Sequence, residues 1–229
     1  HTSQNCRYND LSGFLDCRDF VIDLVDSSKW LKVSEDGLTI IYRGVHLDLR
    51  YSYVGSIRAN HYVPPEVGLF YYEINIIDKG TCGIIGLGFC EPNIRLGTMP
   101  GWDYKSYGYH GDDGKKFASS GKGSIYGPTY TTGDTVGVGI NFFNNTMFFT
   151  KNGIHLGTAF THVESSTLYP VIGLRSLREC VLVNFGQKQF MFDIDQYIQK
   201  DDYLTENIIQ VFEENIYKKC TPKDFNTKL

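Results

Sequence analysis

Between residues 36 and 190 the chain alternates short apolar and aromatic runs with Gly, Asn, Asp and Pro punctuation and shows little sustained helical periodicity. That spacing predicts antiparallel strands. In Gly68–Ile76, Phe70, Tyr72, Ile74 and Ile76 share one face and Leu69, Tyr71, Glu73 and Asn75 the other, so one face is expected to form core. Thr135–Phe142 gathers Val136, Val138, Ile140 and Phe142, with Gly137 and Gly139 opposite, where close approach of another backbone is expected. Two hairpins follow in succession. Asn144-Asn145 separates Ile140–Phe143 from Thr146–Thr150, and Asn152-Gly153 separates that strand from Ile154–Phe160. Asn-Gly suits a type I′ turn, whose two central residues both need positive φ. Further strands are expected at Leu38–Tyr42, Gly55–Asn60, Gly83–Cys90, Leu168–Leu174 and Cys180–Phe185. No crossover helices lie between them, so the expected fold class is all-β, a sandwich of two antiparallel sheets.

The period changes in the tail. Across Thr205–Tyr217, Ile208, Ile209, Val211, Phe212 and Ile216 recur at mixed three- and four-residue steps with Glu206, Glu213 and Glu214 between them. This predicts a short C-terminal amphipathic helix, N-capped by Thr205, whose apolar stripe must dock on the sandwich, on a partner or on a following segment, the sandwich being the expected choice.

Composition narrows the function classes. A chain of 229 residues with 41% hydrophobic and 14% aromatic residues is sized for one core with extensions. A net charge of -4 supplies no basic footprint, which argues against a dedicated nucleic-acid binder. No run of about 18 apolar residues argues for a membrane span, and the N-terminus lacks a signal-peptide pattern. The six cysteines contain no C-x-x-C pair and signal neither zinc nor redox chemistry. Reduced, intracellular thiols are expected, with Cys82, Cys90 and Cys180 acting as small buried hydrophobes. No cofactor is called for.

The stretch Met99-Pro-Gly-Trp-Asp-Tyr-Lys-Ser-Tyr-Gly-Tyr-His-Gly-Asp-Asp-Gly114 resembles the SPRY signature of the Ran-binding-protein-M family and its fungal relatives. The similarity extends, in the family's order, through Gly127–Asp134, Phe149–Gly153, Leu156–Phe160, Leu168–Pro170 and Val183–Gly186. Upstream it takes in Ser56–His61 and Gly68–Glu73, and it covers roughly residues 28 to 196. The resemblance implies a concanavalin-like SPRY β-sandwich at 28–196, an N-terminal extension at 1–27 and a helical extension at 197–229. It also implies a non-catalytic module that binds short peptides or partner subunits through loops at one edge. The family's Ran-binding-protein-M members carry LisH and CTLH regions after this domain and scaffold a multi-subunit RING E3 ubiquitin ligase of the GID/CTLH type. A cytoplasmic, and also nuclear, location follows from that role.

By position, the implied binding loops contribute Arg50, Tyr51 and Tyr53; Leu96, Met99, Trp102 and Tyr104; and Leu174, Arg175 and Ser176. Aromatic and thioether walls suit an apolar anchor, and Arg50 and Arg175 suit a carboxylate or a carbonyl-rich turn. Tyr107 and Tyr109 lie on an alternating run and are expected in the core, whereas Trp102 and Tyr104 are expected at a surface pocket. His110, Asp112 and Asp113 are potential metal or acid–base groups, but the glycines around them favour a tight turn. No nucleophile elbow or metalloprotease helix is present. Two further readings stay open. One is a carbohydrate-binding or hydrolytic concanavalin-like domain, for which the candidate acidic pair is Asp112-Asp113; the other is a purely structural docking domain.

Overall fold

A computed structural model describes residues 20–44, 53–164 and 167–220. The strands in chain order are β1 (Ile22–Ser27), β2 (Leu31–Val33), β3 (Thr39–Tyr42), β4 (Gly55–Ala59), β5 (Leu69–Lys79), β6 (Ile85–Cys90) and β7 (Ser106–His110). They continue as β8 (Lys115–Ala118), β9 (Ser124–Ile125), β10 (Thr135–Asn141), β11 (Thr146–Lys151), β12 (Ile154–Phe160), β13 (Tyr169–Leu174) and β14 (Glu179–Asn184). Two α-helices follow among the described residues, α1 (Ile194–Gln199) and α2 (Asp202–Cys220). Sheet A runs β1-β4-β13-β6-β7-β8-β9 and sheet B runs β12-β11-β10-β5-β14-β3-β2. Every strand pair is antiparallel, which makes the molecule the expected all-β sandwich. Residues 22–27, expected in an extension, form an edge strand of sheet A.

The inner faces of the sheets build one core. Phe70, Tyr72, Ile74 and Ile76 from β5 meet Ile57, Leu87, Phe89 and Ile172 from sheet A. Burying Tyr72 in that layer requires a partner for its hydroxyl, and it finds the carbonyls of Gly88 at 2.8 Å and Val171 at 3.1 Å across the sandwich. The second hairpin follows its turn signal, with Asn152 at φ 50° and Gly153 at φ 78°. The first is looser than the sequence suggests. Asn141 pairs with Thr146, leaving a four-residue connection, because the Asn141 side chain accepts the Phe143 N–H and ends the strand early. The glycines of β10 also differ from expectation. A Cβ on Gly139 would meet the Phe148 ring at 2.2 Å and one on Gly137 the Tyr71 hydroxyl at 1.9 Å, so side chains fill the space instead of a backbone.

Those aromatics belong to a second layer that the alternation in β5 does not reveal, since both faces of this strand are covered. Leu69, Tyr71 and Phe148 on the outer face of sheet B pack against Phe192, Ile194, Ile198, Leu204 and Ile208. The tail stripe therefore docks on its own sandwich, through two helices instead of one. Asp201, not Thr205, caps α2 by accepting the Leu204 N–H at 3.0 Å; Thr205 lies in the first turn and donates to the Ile198 carbonyl at 2.8 Å, tying α2 to α1. The clamp between tail and sheet is Glu73. Only 4% exposed, its carboxylate accepts the Tyr71 hydroxyl at 2.9 Å and the backbone N–H groups of Met191 and Phe192, each at 3.0 Å.

The outer edge of β12 is blunted. The Lys116 ammonium donates to the Ala159 carbonyl and the Tyr126 hydroxyl to the Gly157 carbonyl at 2.6 Å, so two edge acceptors are already taken.

Glu73→Ala removes the acceptor of three buried or half-buried donors, and a loss of about 2–4 kcal/mol in urea unfolding is expected. Hydrogen exchange in 190–208 should rise while β10 and β13 stay protected. Uniform exchange across the chain would show that Glu73 holds the whole core and not the tail.

Candidate binding site

The connection from Glu91 to Lys105 between β6 and β7 lies flat on the outer face of sheet A. Small residues make room for it. Gly173 faces Gly86 across β13 and β6, and Gly88 faces Gly108 across β6 and β7. A Cβ on Gly173 would stand 2.4 Å from Pro100 Cδ, and one on Gly108 would stand 2.2 Å from the Pro100 carbonyl oxygen. Polar groups of the same face then fasten the loop. Ser56 donates its N–H to the Leu96 carbonyl at 2.9 Å and its hydroxyl to the Thr98 carbonyl at 2.5 Å, and His110 Nε2 donates to the Pro100 carbonyl at 2.8 Å. Burial drives the His110 pKa down to about 4, so near pH 7 the ring is a neutral donor.

Held this way, the loop delivers Trp102 to one end of the sandwich. Its half-buried indole packs with Met99, Val54, Ile84 and Cys82, which arrive from the loop itself, the entry to β4 and the entry to β6. Arg175, from the turn after β13, lies with its guanidinium carbon 5.8 Å from the indole centroid, within cation–π range. Sheet B adds a second aromatic station, where Tyr53 stacks on Trp30 with centroids 4.9 Å apart and planes 3° from parallel. The Tyr42 hydroxyl donates to the Tyr53 carbonyl at 2.5 Å and lies within electrostatic reach of both Glu179 and Arg175.

Beneath the rim sits a carboxylate that the sequence does not single out. Glu179 is fully buried and accepts the Arg175 N–H at 2.6 Å, the Ser176 N–H at 2.9 Å, the Ser176 hydroxyl at 2.5 Å and the Ile84 N–H. The Ser176 oxygen in turn accepts the Cys82 N–H at 3.0 Å. One buried acid thus fixes the two turns that carry Arg175 and Ile84. Desolvation pushes its pKa up to about 7 against the pull of these donors.

The expected residues divide by depth. Tyr53, 55% exposed, and Arg175 and Trp102, both half-buried, form the accessible surface with partly covered Leu96. Met99, Leu174 and Ser176 are at most 2% exposed: Met99 packs under Trp102, Ser176 is held by Glu179, and Leu174 belongs to the core between the sheets. Tyr104 is 73% exposed and is not among the residues packed around Trp102, the Lys105 ammonium lying 5.7 Å from its ring. Arg50 and Tyr51 lie outside the described residues. Tyr109 is core as expected, and Tyr107 is half-buried against Phe160. Gly111 to Gly114 form the expected tight turn: Asp113 accepts the Lys115 N–H at 3.0 Å and pairs with the Lys115 ammonium at 3.2 Å. Among the described residues no group of three His, Cys, Asp or Glu is placed to hold a metal. Cys82, Cys90 and Cys180 are free, Cys90 fully buried and the others half-buried.

Residues 69–188 match the family model described as SPRY domain. The chain belongs to the SPRY domain family. Within it, the chain is 44% identical over 178 residues to Ran-binding protein 10 of Danio rerio, 45% over 175 to Ran-binding protein 9 of Xenopus tropicalis, and 40% over 168 to the Ran-binding protein M homolog of Arabidopsis thaliana. These alignments cover 73–76% of this chain but only 28–35% of the relatives, so the SPRY chain spans about a third of their length. A crystal structure of a human SPRY domain superimposes with a TM-score of 0.62 at 30% identity, covering 70% of this chain and 98% of that one. The SPRY domain of human HERC1, at 17% identity and TM-score 0.60, shares the fold.

Two outcomes test this geometry. Gly108→Ala forces the Pro100 backbone away from sheet A, and a loss of about 1–3 kcal/mol with altered Trp102 fluorescence is expected; an unchanged emission maximum would mean the loop is not seated by that glycine. Glu179 binds its proton more tightly folded than unfolded, so its stabilising contribution is complete below the ordinary glutamate range and fades as pH rises through about 7. Melting temperatures between pH 4 and 8 should therefore fall more steeply with pH for the wild type than for Glu179→Gln. Parallel curves would place the titration elsewhere.

Proposed function

We propose that this SPRY domain is a non-catalytic recognition module within the scaffold of a multi-subunit E3 ubiquitin ligase, binding a short peptide segment or partner subunit at the rim around Trp102 and Arg175. The observation that carries the reading is convergence. Loops far apart in sequence, entering β4, leaving β13 and linking β6 to β7, meet at a single half-buried indole backed by a buried carboxylate. A rigid aromatic with an adjacent cation is the arrangement found at energetic centres of protein interfaces. The 40–45% identity to Ran-binding proteins 9, 10 and M supports assignment to the scaffold, with action in the cytoplasm and nucleus.

Fluorescein-labelled peptides that tile the subunits co-purifying with the full-length protein provide the test. Wild type should bind at least one peptide saturably, and Trp102→Ala and Arg175→Ala should each weaken it by about tenfold or more while circular dichroism shows an intact fold. Equal affinities for wild type and variants would reject this surface, and flat titrations for every peptide would reject the module reading itself.

A further inference from the structure

A cavity of about 460 Å³ lies between the outer face of sheet B and the segment that leaves β14, a size that suits a side chain or small ligand. It is remote from the rim. The cavity opens beside the β2–β3 turn, which carries Asp36 and Leu38, and beside the exit of β14 at Asn184, whereas the rim gathers the other ends of these strands at Trp30, Tyr42 and Glu179. Two sets of hydrogen bonds hold the segment in place. The Asn184 side chain accepts the Gly186 N–H at 3.0 Å and the Lys188 N–H at 3.2 Å and donates to the Lys188 carbonyl at 3.1 Å, while Gln187 Nε2 donates to the Phe20 carbonyl at 3.0 Å. The chain then returns to the sheet where Glu73 accepts the Met191 and Phe192 N–H groups. Residues between these fastenings form one wall, and β5 and β14 supply the floor.

The lining combines apolar walls with hydrogen-bond acceptors. Leu182 and Phe190 are half-buried and Met191 is exposed, and the Tyr71 ring braces Phe190 edge-on with centroids 5.0 Å apart. Such walls suit a methylene stem. The Asn75 side chain donates from Nδ2 to the Thr135 hydroxyl at 3.1 Å, and its amide oxygen takes no donor among the described residues. Two carboxylates, Asp36 and Glu73, line the cavity against one ammonium, Lys188. Neither acid enters an ion pair among the described residues. Glu73, buried, is served by N–H and O–H donors alone. The Ser34 hydroxyl, then the Leu38 N–H, hold the Asp36 carboxyl below the usual carboxylate range, and Lys188 contributes least. Unmatched acceptors beside apolar walls, in a chain of net charge -4, complement a cation carried on an aliphatic stem. We propose that this cavity is a second recognition site, separate from the rim, which takes the Lys or Arg side chain of a basic linear segment of a partner protein.

The probes are fluorescein-labelled hexapeptide pools whose fixed central residue is Lys, Arg, norleucine or citrulline among neutral neighbours, titrated by anisotropy at low and moderate salt against the full chain. The Lys and Arg pools should bind about fivefold tighter than their uncharged counterparts, with a preference that shrinks as salt rises. Leu182→Lys, which sends an ammonium from β14 into the cavity, should abolish the preference. Asp36→Asn, at an exposed position and keeping an acceptor for Ser34 and Leu38, should reduce it about twofold, and Lys188→Ala should enlarge it. Trp102→Ala should leave it unchanged. Equal binding of charged and uncharged pools, or a preference that survives both Leu182→Lys and Asp36→Asn, overturns the site. A preference lost in Trp102→Ala places the peptide at the rim and overturns it equally. Flat titrations with every pool also overturn this second site, and they leave the rim, tested with peptides from co-purifying subunits, standing.

Discussion

The approach of one backbone to another across the outer face of sheet A is the constraint on which the rest depends. Strands normally present side chains on both faces, and a loop crossing them rides several ångströms above the backbone. Here Gly173, Gly86 and Gly108 remove the side chains under Met99 and Pro100, so the loop sinks into contact and is fastened by Ser56 and His110. Position then passes outward from the rigid layer: sheet A sets the loop, the loop sets Trp102, and the indole meets Arg175. Neutral His110 suits this task, because a charged ring buried at 2% exposure would carry a desolvation cost that its single carbonyl partner offsets poorly.

Two buried carboxylates divide the labour of holding loops to this frame. Glu179 gathers the backbone donors of the turn after β13 and of Ile84, while Glu73 gathers those of the segment leading into the helices. In each case an acid inside an apolar run would be destabilising alone and is offset by three or more aimed donors. The acids thus specify where irregular chain must lie, which apolar packing, being non-directional, does poorly.

Much of this was readable from residue order. Alternation located β5, β10 and β13, and the Asn-Gly pair fixed the β11–β12 turn, because these features are local and repeat with the period of the backbone. Strands β7, β8 and β9 were harder to place: in β7, Ser106 and Gly108 serve the loop lying on it, and β8 and β9 are four and two residues long, too short for alternation to register. The second layer was half legible: the tail pattern announced a docking stripe, but nothing local showed that Leu69 and Tyr71 receive it. At the site, position along the chain pointed to Trp102 and Arg175. Val54, Ile84, Trp30 and Glu179 were missed because their roles exist only after distant turns meet, and an isolated Glu in a strand carries no mark of the donors it will collect.

The tail clamp bears on how this protein can be handled and how it ages in a cell. A cut at residue 196 would pass through α1 and strip Tyr71, Phe148 and Phe192 of the cover supplied by Ile198, Leu204 and Ile208. The stump would carry a bare aromatic face on sheet B, and proteolytic nicking between the helices would leave a fragment that sticks to its own kind.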